Sequence, residues 1–122
     1  MANPIKDLLQ LHWHLASEAS AQSVWRPPVD VYRGQRGWLL KFELAGVRLE
    51  DVQLRRQGRL LTVTGLRRDW TIQEEQQSYS MEISYNRFER TIELPCELEP
   101  AQIATEYRDG MLLVRINLEQ QP

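Results

Sequence analysis

Two histidines and one cysteine are the side chains of this 122-residue chain best suited to metal binding or nucleophilic catalysis. His12 and His14 are two residues apart, a spacing that on a helix points them in different directions. Cys96 follows Pro95, and the sequence after residue 25 contains no histidine that could act as a base for the thiol. We therefore expect solvated or interface histidines and a half-buried thiol, with no enzyme activity, no metal site and no cofactor.

The charged residues do not indicate a nucleic-acid-binding protein. The chain has 15 Lys and Arg against 17 Asp and Glu, a formal net charge of −2, whereas nucleic-acid binders usually have a strongly basic face. The basic pairs Arg55-Arg56 and Arg67-Arg68 lack surrounding aromatic residues, so we expect them to form ion pairs with the neighbouring Glu-rich stretch. All cations except Lys6 and Lys41 are arginines, whose planar forks favour bidentate ion pairs at interfaces.

The sequence gives no sign of secretion or of membrane insertion. A single cysteine excludes an internal disulfide and is compatible with a reducing compartment. The longest aliphatic run, Met111 to Val114, is far shorter than the roughly 20 residues of a membrane-spanning helix. The N-terminus lacks the basic, apolar and small-residue regions of a signal peptide. We expect a cytoplasmic protein without a membrane partner.

Residues 1–25 predict a short N-terminal arm with a helical pattern. Asn3-Pro4 is typical of a helix start, with Asn3 as N-cap and Pro4 in the first turn. Trp25-Arg26-Pro27-Pro28 ends any helix, because a residue before proline is driven out of the α region. Between these limits, apolar positions recur at helical spacing over about four turns; they include Ile5, Leu8, Leu9 and Leu15.

Residues 26–118 have the period of β-strands. Trp38, Leu40, Phe42 and Leu44 alternate with residues that would lie on the opposite face of a strand. Asp109-Gly110 is a hairpin-type dipeptide between two such runs. About seven or eight short strands, with no helical pattern between them, predict an all-β, immunoglobulin-like antiparallel sandwich. Residues 119–122 would form a short C-terminal end.

Five segments follow one another in a fixed order within about residues 26–117. They are Pro28-Val29-Asp30-Val31-Tyr32, Glu43-Leu44-Ala45-Gly46-Val47 with Glu50-Asp51-Val52, residues 60–65, residues 82–95, and residues 103–114 with the signature Gly110-x-Leu112-x-Val114. In this order they resemble the α-crystallin domain of the small heat-shock proteins, and the ordered set is more specific than any one segment. Ala45 takes the place of the usual proline and Asn86 that of the usual glycine, which suits asparagine because it also adopts positive φ.

This resemblance implies an ATP-independent holdase chaperone, which binds partly unfolded proteins and prevents their aggregation. It also implies a homodimer. In the bacterial and plant branch of the family, a long loop carries an extra strand that pairs with the partner's sheet edge. That loop would be residues 67–84 of this chain, and the expected dimer contacts are Trp70, Ile72, Glu82 and Arg90, with Arg90 in ion pairs.

The resemblance further implies a groove that takes clients or partners. Its lining would be Val52, Leu54, Ile103 and Tyr107, and the arm would contact clients through Ile5, Leu8, Leu9 and Leu15. Relatives dock an Ile-x-Ile/Val tail in this groove. The similar triplet Ile116-Asn117-Leu118 continues the last strand here, so we expect an open groove and a dimer or small oligomer. Gly110 would form the hairpin turn, and Leu112 and Val114 would pack inside the sandwich.

An alternative from another class is a co-chaperone or adaptor of the p23/CS type, a similar sandwich that binds folded partners. That fold lacks both the exchanged loop and the tail-binding groove. The insertion at residues 67–84 and the Gly110-x-Leu112-x-Val114 signature therefore favour the small heat-shock protein. An enzyme is a third alternative, which is disfavoured because residues 26–118 contain no histidine.

Overall fold

The computed structural model of the chain describes residues 24–71 and 75–118. Ile5, Leu8, Leu9, Leu15, Ile72 and residues 119–122 lie outside these ranges, so the expectations for them stay predictions, as do the domain boundaries. The described residues form one short 3-10 helix (Leu49–Asp51) and seven strands: β1 (Val29–Arg33), β2 (Gly37–Glu43), β3 (Val52–Gln57), β4 (Leu60–Arg67), β5 (Asn86–Glu93), β6 (Gln102–Arg108) and β7 (Met111–Asn117).

The strands form two sheets, and every strand pairing is antiparallel. One sheet has the order β1-β2-β7-β6 and the other has the order β3-β4-β5. The prediction of an all-β antiparallel sandwich is confirmed. No helix in the described ranges is long and apolar enough to cross a membrane.

The core lies between the two sheets and is built by the alternation seen in the sequence. Leu40 is paired with Val114 and Phe42 with Leu112, and none of the four is more than 2% exposed. Directly paired residues point to the same face, so these side chains form one apolar layer. Removing that layer from water is the main stabilising term of the fold. The other sheet contributes Leu61, Val63 and Phe88.

A tight hairpin turn joins β6 to β7 at Asp109-Gly110. Both residues have positive φ, 52° and 79°, as expected for the turns that match the twist of paired strands. A Cβ at Gly110 would lie 3.0 Å from the Cβ of Ala45, so the turn also needs glycine for close packing. The Gly110 carbonyl accepts a hydrogen bond of 2.8 Å from the Leu44 amide. Asn86 has a φ of 74°, in agreement with the conformation expected there.

The segment before β1 packs on the edge of the three-stranded sheet. The Trp25 amide donates to the Arg87 carbonyl at 3.3 Å, and the Glu89 amide donates to the Trp25 carbonyl at 3.1 Å. The Trp25 ring lies 5.3 Å from the Phe88 ring, centre to centre. Trp25, four residues before β1, is therefore already packed on the sandwich.

Candidate functional site

The four residues expected to line the groove lie on two edge strands. Val52 and Leu54 belong to β3, at the edge of one sheet, and Ile103 and Tyr107 belong to β6, at the edge of the other. All four are half-buried and pack against the core. The Tyr107 hydroxyl donates a 2.8 Å hydrogen bond to the Leu44 carbonyl, which fixes the ring at the rim.

Arg56 holds one end of β3 next to the start of β6. It is paired with the buried Leu61, so its side chain starts from the inner face of the sheet. Its guanidinium donates to the carbonyls of Leu98 at 3.1 Å and Ala101 at 2.8 Å. Ala101 directly precedes β6, and these bonds therefore join the two edges at one end of the groove. Arg56 follows Val52 and Leu54 at a spacing of two residues, which places all three on one face of the strand. This spacing in the sequence could have predicted that the Arg56 side chain points inward.

Arg67 ties together three separate parts of the chain. Its guanidinium donates to the carbonyls of Ser84 at 2.9 Å and Ala45 at 3.1 Å. It also lies over the Trp25 ring at 4.2 Å and near the Tyr85 ring at 5.9 Å, both within the range of cation–π attraction. These contacts, rather than an ion pair with the Glu-rich stretch, are the ones that the structure describes for Arg67.

Arg90 also points inward, since it is paired with the buried Val63. One guanidinium nitrogen donates to the Pro27 carbonyl at 3.1 Å, and the buried Nε has no hydrogen-bond partner among the described residues. No ion pair of Arg90 is found in those residues. Ion pairing across a dimer contact stays a prediction.

The long connection between β4 and β5 exposes apolar side chains. Its described residues, 68–71 and 75–85, form no strand. Trp70 is 78% exposed, Tyr79 fully exposed, and Met81 and Ile83 more than half exposed, with Glu82 also at the surface. Several large apolar side chains exposed in one segment are more than the scattered single cases usual on a protein surface, and they make this loop a candidate interaction surface.

Arg68 makes a two-pronged ion pair with Asp51. Nε donates to Oδ2 at 3.0 Å and a terminal nitrogen donates to Oδ1 at 3.2 Å. These hydrogen bonds lower the pKa of Asp51 and raise the pKa of Arg68. The observed partner of Arg68 is thus on the short 3-10 helix, rather than in the Glu-rich stretch.

The described residues contain no group of three or more His, Cys, Asp or Glu side chains that could hold a metal ion. Cys96 is half-buried. The features that the described residues offer for binding are apolar strand edges, an exposed apolar loop and inward-facing arginines.

The family model for the Hsp20/alpha crystallin family matches residues 30–122. Among curated relatives, small heat shock protein C4 of Rickettsia felis is 25% identical over 95 residues, covering 78% of this chain and 58% of the relative. Heat shock protein 16 of Schizosaccharomyces pombe is 31% identical over 93 residues, covering 74% of this chain and 64% of the relative. The chain spans about three-fifths of the length of the first curated relatives it matches.

Solved structures of small heat shock proteins have the same fold. Heat shock protein 16.0 of Schizosaccharomyces pombe superposes with a TM-score of 0.67 at 27% identity, covering 80% of this chain and 91% of that chain. The hspA structure from Xanthomonas axonopodis gives a TM-score of 0.65 at 24% identity, covering 78% and 95%. On the family match, the relatives and the shared fold together, the chain belongs to the Hsp20/alpha crystallin family.

Proposed function

We propose that the protein is an ATP-independent holdase chaperone that binds partly unfolded proteins and prevents their aggregation. The observation that carries the proposal is the family match over residues 30–122. Membership of this family also supports the expectation that the chain is not an enzyme. The physical basis is mass action: a binder of exposed apolar surface competes with self-association of the unfolded client. We expect it to act in the cytoplasm.

The client site is the groove lined by Val52, Leu54, Ile103 and Tyr107. Two features support this assignment. Each residue is apolar for most of its surface and only half-buried, so an incoming segment can cover more of it. β3 and β6 are edge strands, and an extended peptide can pair with an unpaired strand edge. Ile5, Leu8, Leu9 and Leu15 of the arm would add further apolar contacts to clients.

The protein acts as a homodimer in which the loop 67–84 of one copy reaches the sheet edge of the other. Among the described residues β1 has one unpaired edge, and Val31 and Tyr32 on this strand are 40% and 45% exposed. A strand from the partner's loop would cover them and bury the exposed Trp70. Ile72 and Glu82 belong to the same loop, and a carboxylate such as that of Glu82 from the partner would form an ion pair with the Arg90 guanidinium.

A light-scattering assay tests the holdase activity directly. An aggregation-prone enzyme is heated without ATP, alone and with the full chain at several molar ratios, and turbidity is followed. We expect suppression that increases with the amount of chaperone. Equal turbidity at every ratio would refute the holdase. If the mass in solution were also that of a monomer, the adaptor of the p23/CS type would become the better explanation.

Two matched variants test the groove. Leu54→Ser removes a half-buried apolar side chain from the groove, whereas Leu60→Ser removes an exposed one from the opposite face of the same sheet. Suppression should weaken for Leu54→Ser and persist for Leu60→Ser, with folding of both checked by circular dichroism. Equal suppression by the two variants would move the client site away from the groove.

A further inference from the structure

A charged side chain lies at one end of the groove between β3 and β6. On β3, Leu54 is paired with Val63 and Arg56 with Leu61, and both partners are fully buried. Leu54 and Arg56 therefore point to the same face of the strand. The Arg56 guanidinium reaches the carbonyl of the residue directly before β6. At this end the apolar surface of the groove continues into a cation.

The middle of the groove is open. Thr105 lies between Ile103 and Tyr107 on β6 and is paired with the fully buried Val114, so its side chain points to the inner face of its sheet. Thr105 is nevertheless exposed. A position that faces inward and is still exposed is one that the other sheet does not cover. An extended segment of another chain can therefore enter between the two edge strands.

The Arg56 guanidinium has two nitrogen atoms left for such a segment. Both of its hydrogen bonds, to the carbonyls of Leu98 and Ala101, start from Nη1. The described residues offer no hydrogen bond or ion pair to Nε or Nη2, and neither atom is a buried donor without a partner, so both are in contact with solvent. Arg68 uses the same two nitrogens to hold the Asp51 carboxylate, at 3.0 Å and 3.2 Å. The free side of Arg56 is thus the side that suits a carboxylate.

We propose that the groove selects extended client segments in which a Glu or Asp lies two residues beyond a pair of apolar residues at alternate positions. The inference rests on the proposed client site and adds a specificity to it. Alternate side chains of an extended segment point to one side, so two of them cover the apolar lining and the third meets the Nε–Nη2 side of Arg56.

The surroundings of Arg56 favour an acid over an apolar residue at that third position. An apolar side chain there would remove the charged group from water without giving it a partner, which is unfavourable. A carboxylate would accept two hydrogen bonds from it. The two carbonyls already hold the guanidinium in place, so the pair costs less side-chain entropy than one with a mobile surface arginine.

Fluorescence anisotropy on the full chain tests the proposal with three labelled peptides, whose ends are capped to remove the terminal charges. The first has Leu at its first and third positions, Glu at its fifth and Thr elsewhere. The second has Gln in place of Glu. The third has Glu moved to the fourth position and Thr in the fifth, so its composition and charge equal those of the first peptide. Its carboxylate would point out of the groove.

The first peptide should bind the wild-type chain about tenfold more tightly than the other two. Arg56→Gln should abolish this difference. Arg55→Gln removes an exposed cation from the opposite face of β3, changes the net charge equally and should keep the difference. Equal binding of the first and third peptides by the wild-type chain would overturn the proposal, and this comparison does not depend on the folding of a variant. A difference that persists in Arg56→Gln, with folding checked by circular dichroism, would also overturn it.

The same assay separates this proposal from the proposed function. It contains no aggregating client, so its outcome is independent of holdase activity. Equal binding of all three peptides by the wild-type chain, lost in Leu54→Ser, would refute the preference for acids and leave the apolar client site in place. Absence of binding for every peptide would overturn both the preference and the client site, and the turbidity assay would still decide the holdase activity.

Discussion

The guanidinium group of Arg67 lies 4.2 Å from the centre of the Trp25 ring and bonds to the carbonyls of Ala45 and Ser84. β4 ends at Arg67, and Ser84 lies at the far end of the loop that follows. One side chain thus holds both ends of the proposed dimerisation loop together. It also holds them against the segment that precedes β1, so the position of the loop depends on a contact within the subunit.

Replacing Arg67 should loosen this junction. Arg67→Ala removes a charged donor from two carbonyls and a cation from an aromatic face, so we expect a loss of about 1–3 kcal/mol in the free energy of unfolding. Arg67→Lys keeps the charge but lacks the planar fork that reaches both carbonyls, and should lose a similar amount. Urea unfolding measures both, with the exposed Arg55→Ala as a control that changes by no more than about 0.5 kcal/mol. Wild-type stability for Arg67→Lys would contradict the geometric role.

The Arg68–Asp51 pair predicts an acid-dependent contribution to stability. Hydrogen bonds from Arg68 hold the pKa of Asp51 below its ordinary value of 3.8 in the folded protein. A lowered folded pKa stabilises the fold above the ordinary pKa, and this stabilisation disappears as the pH falls through the folded value. Asp51→Asn should therefore be less stable than wild type at pH 7, and the difference should shrink on acidification toward about pH 3.

Urea unfolding of both proteins across that pH range measures the effect of Asp51. Glu93→Gln, which removes an exposed negative charge elsewhere, controls for net charge. Because the pair is at the surface, the difference should also decrease at high salt. A difference between wild type and Asp51→Asn that stays constant with pH would rule out the ion pair as its cause.

Leu112 of the Gly110-x-Leu112-x-Val114 signature should be important for packing. It is 2% exposed and is paired with the fully buried Phe42. Leu112→Ala should lower the free energy of unfolding by about 2–5 kcal/mol, because it removes buried methyl groups and leaves a cavity. Leu60→Ala, at a position 40% exposed, should cost much less. Thermal and urea unfolding of the two variants provide the comparison, and equal losses would contradict an inward-facing Leu112.

Trp70 tests the proposed dimer. It is 78% exposed in the single chain, so Trp70→Ser should leave the subunit as stable as wild type. If the side chain is buried against a partner, the same change should weaken dimerisation and lower the mass measured by light scattering at low protein concentration. Leu49→Ser removes an exposed apolar residue outside the loop and should keep the wild-type mass. If Trp70→Ser and Leu49→Ser have the same mass in solution, the loop does not contact the partner and the proposed dimer is wrong.

The sandwich was predictable because most of its strands alternate cleanly. Leu40, Phe42 and Leu44, taken from one period-two run, are all fully buried, and Asp109-Gly110 forms the expected turn. In such strands the apolar face is the face that packs inward, so the sequence pattern alone predicts which side chains are buried. The family resemblance, from the ordered segments, was likewise confirmed by the family match.

The inward-facing arginines were less predictable. Arg56, Arg67 and Arg90 occupy inward positions that simple alternation assigns to apolar residues, and each donates to backbone carbonyls far away in sequence. A long side chain can cover apolar surface with its stem and carry its charge to the rim, and a local pattern does not reveal which carbonyl it will meet.

Trp25 shields part of the edge of β5, because its backbone is bonded to Arg87 and Glu89. The unpaired backbone groups of an open strand edge can pair with a strand of another chain, and repeated addition of strands in this way produces fibres. A holdase of the proposed kind would meet many such strands, and each of its free strand edges would be a place where another chain can pair. With Trp25 bonded to part of the β5 edge, fewer free backbone groups remain on that side of the three-stranded sheet for an added strand.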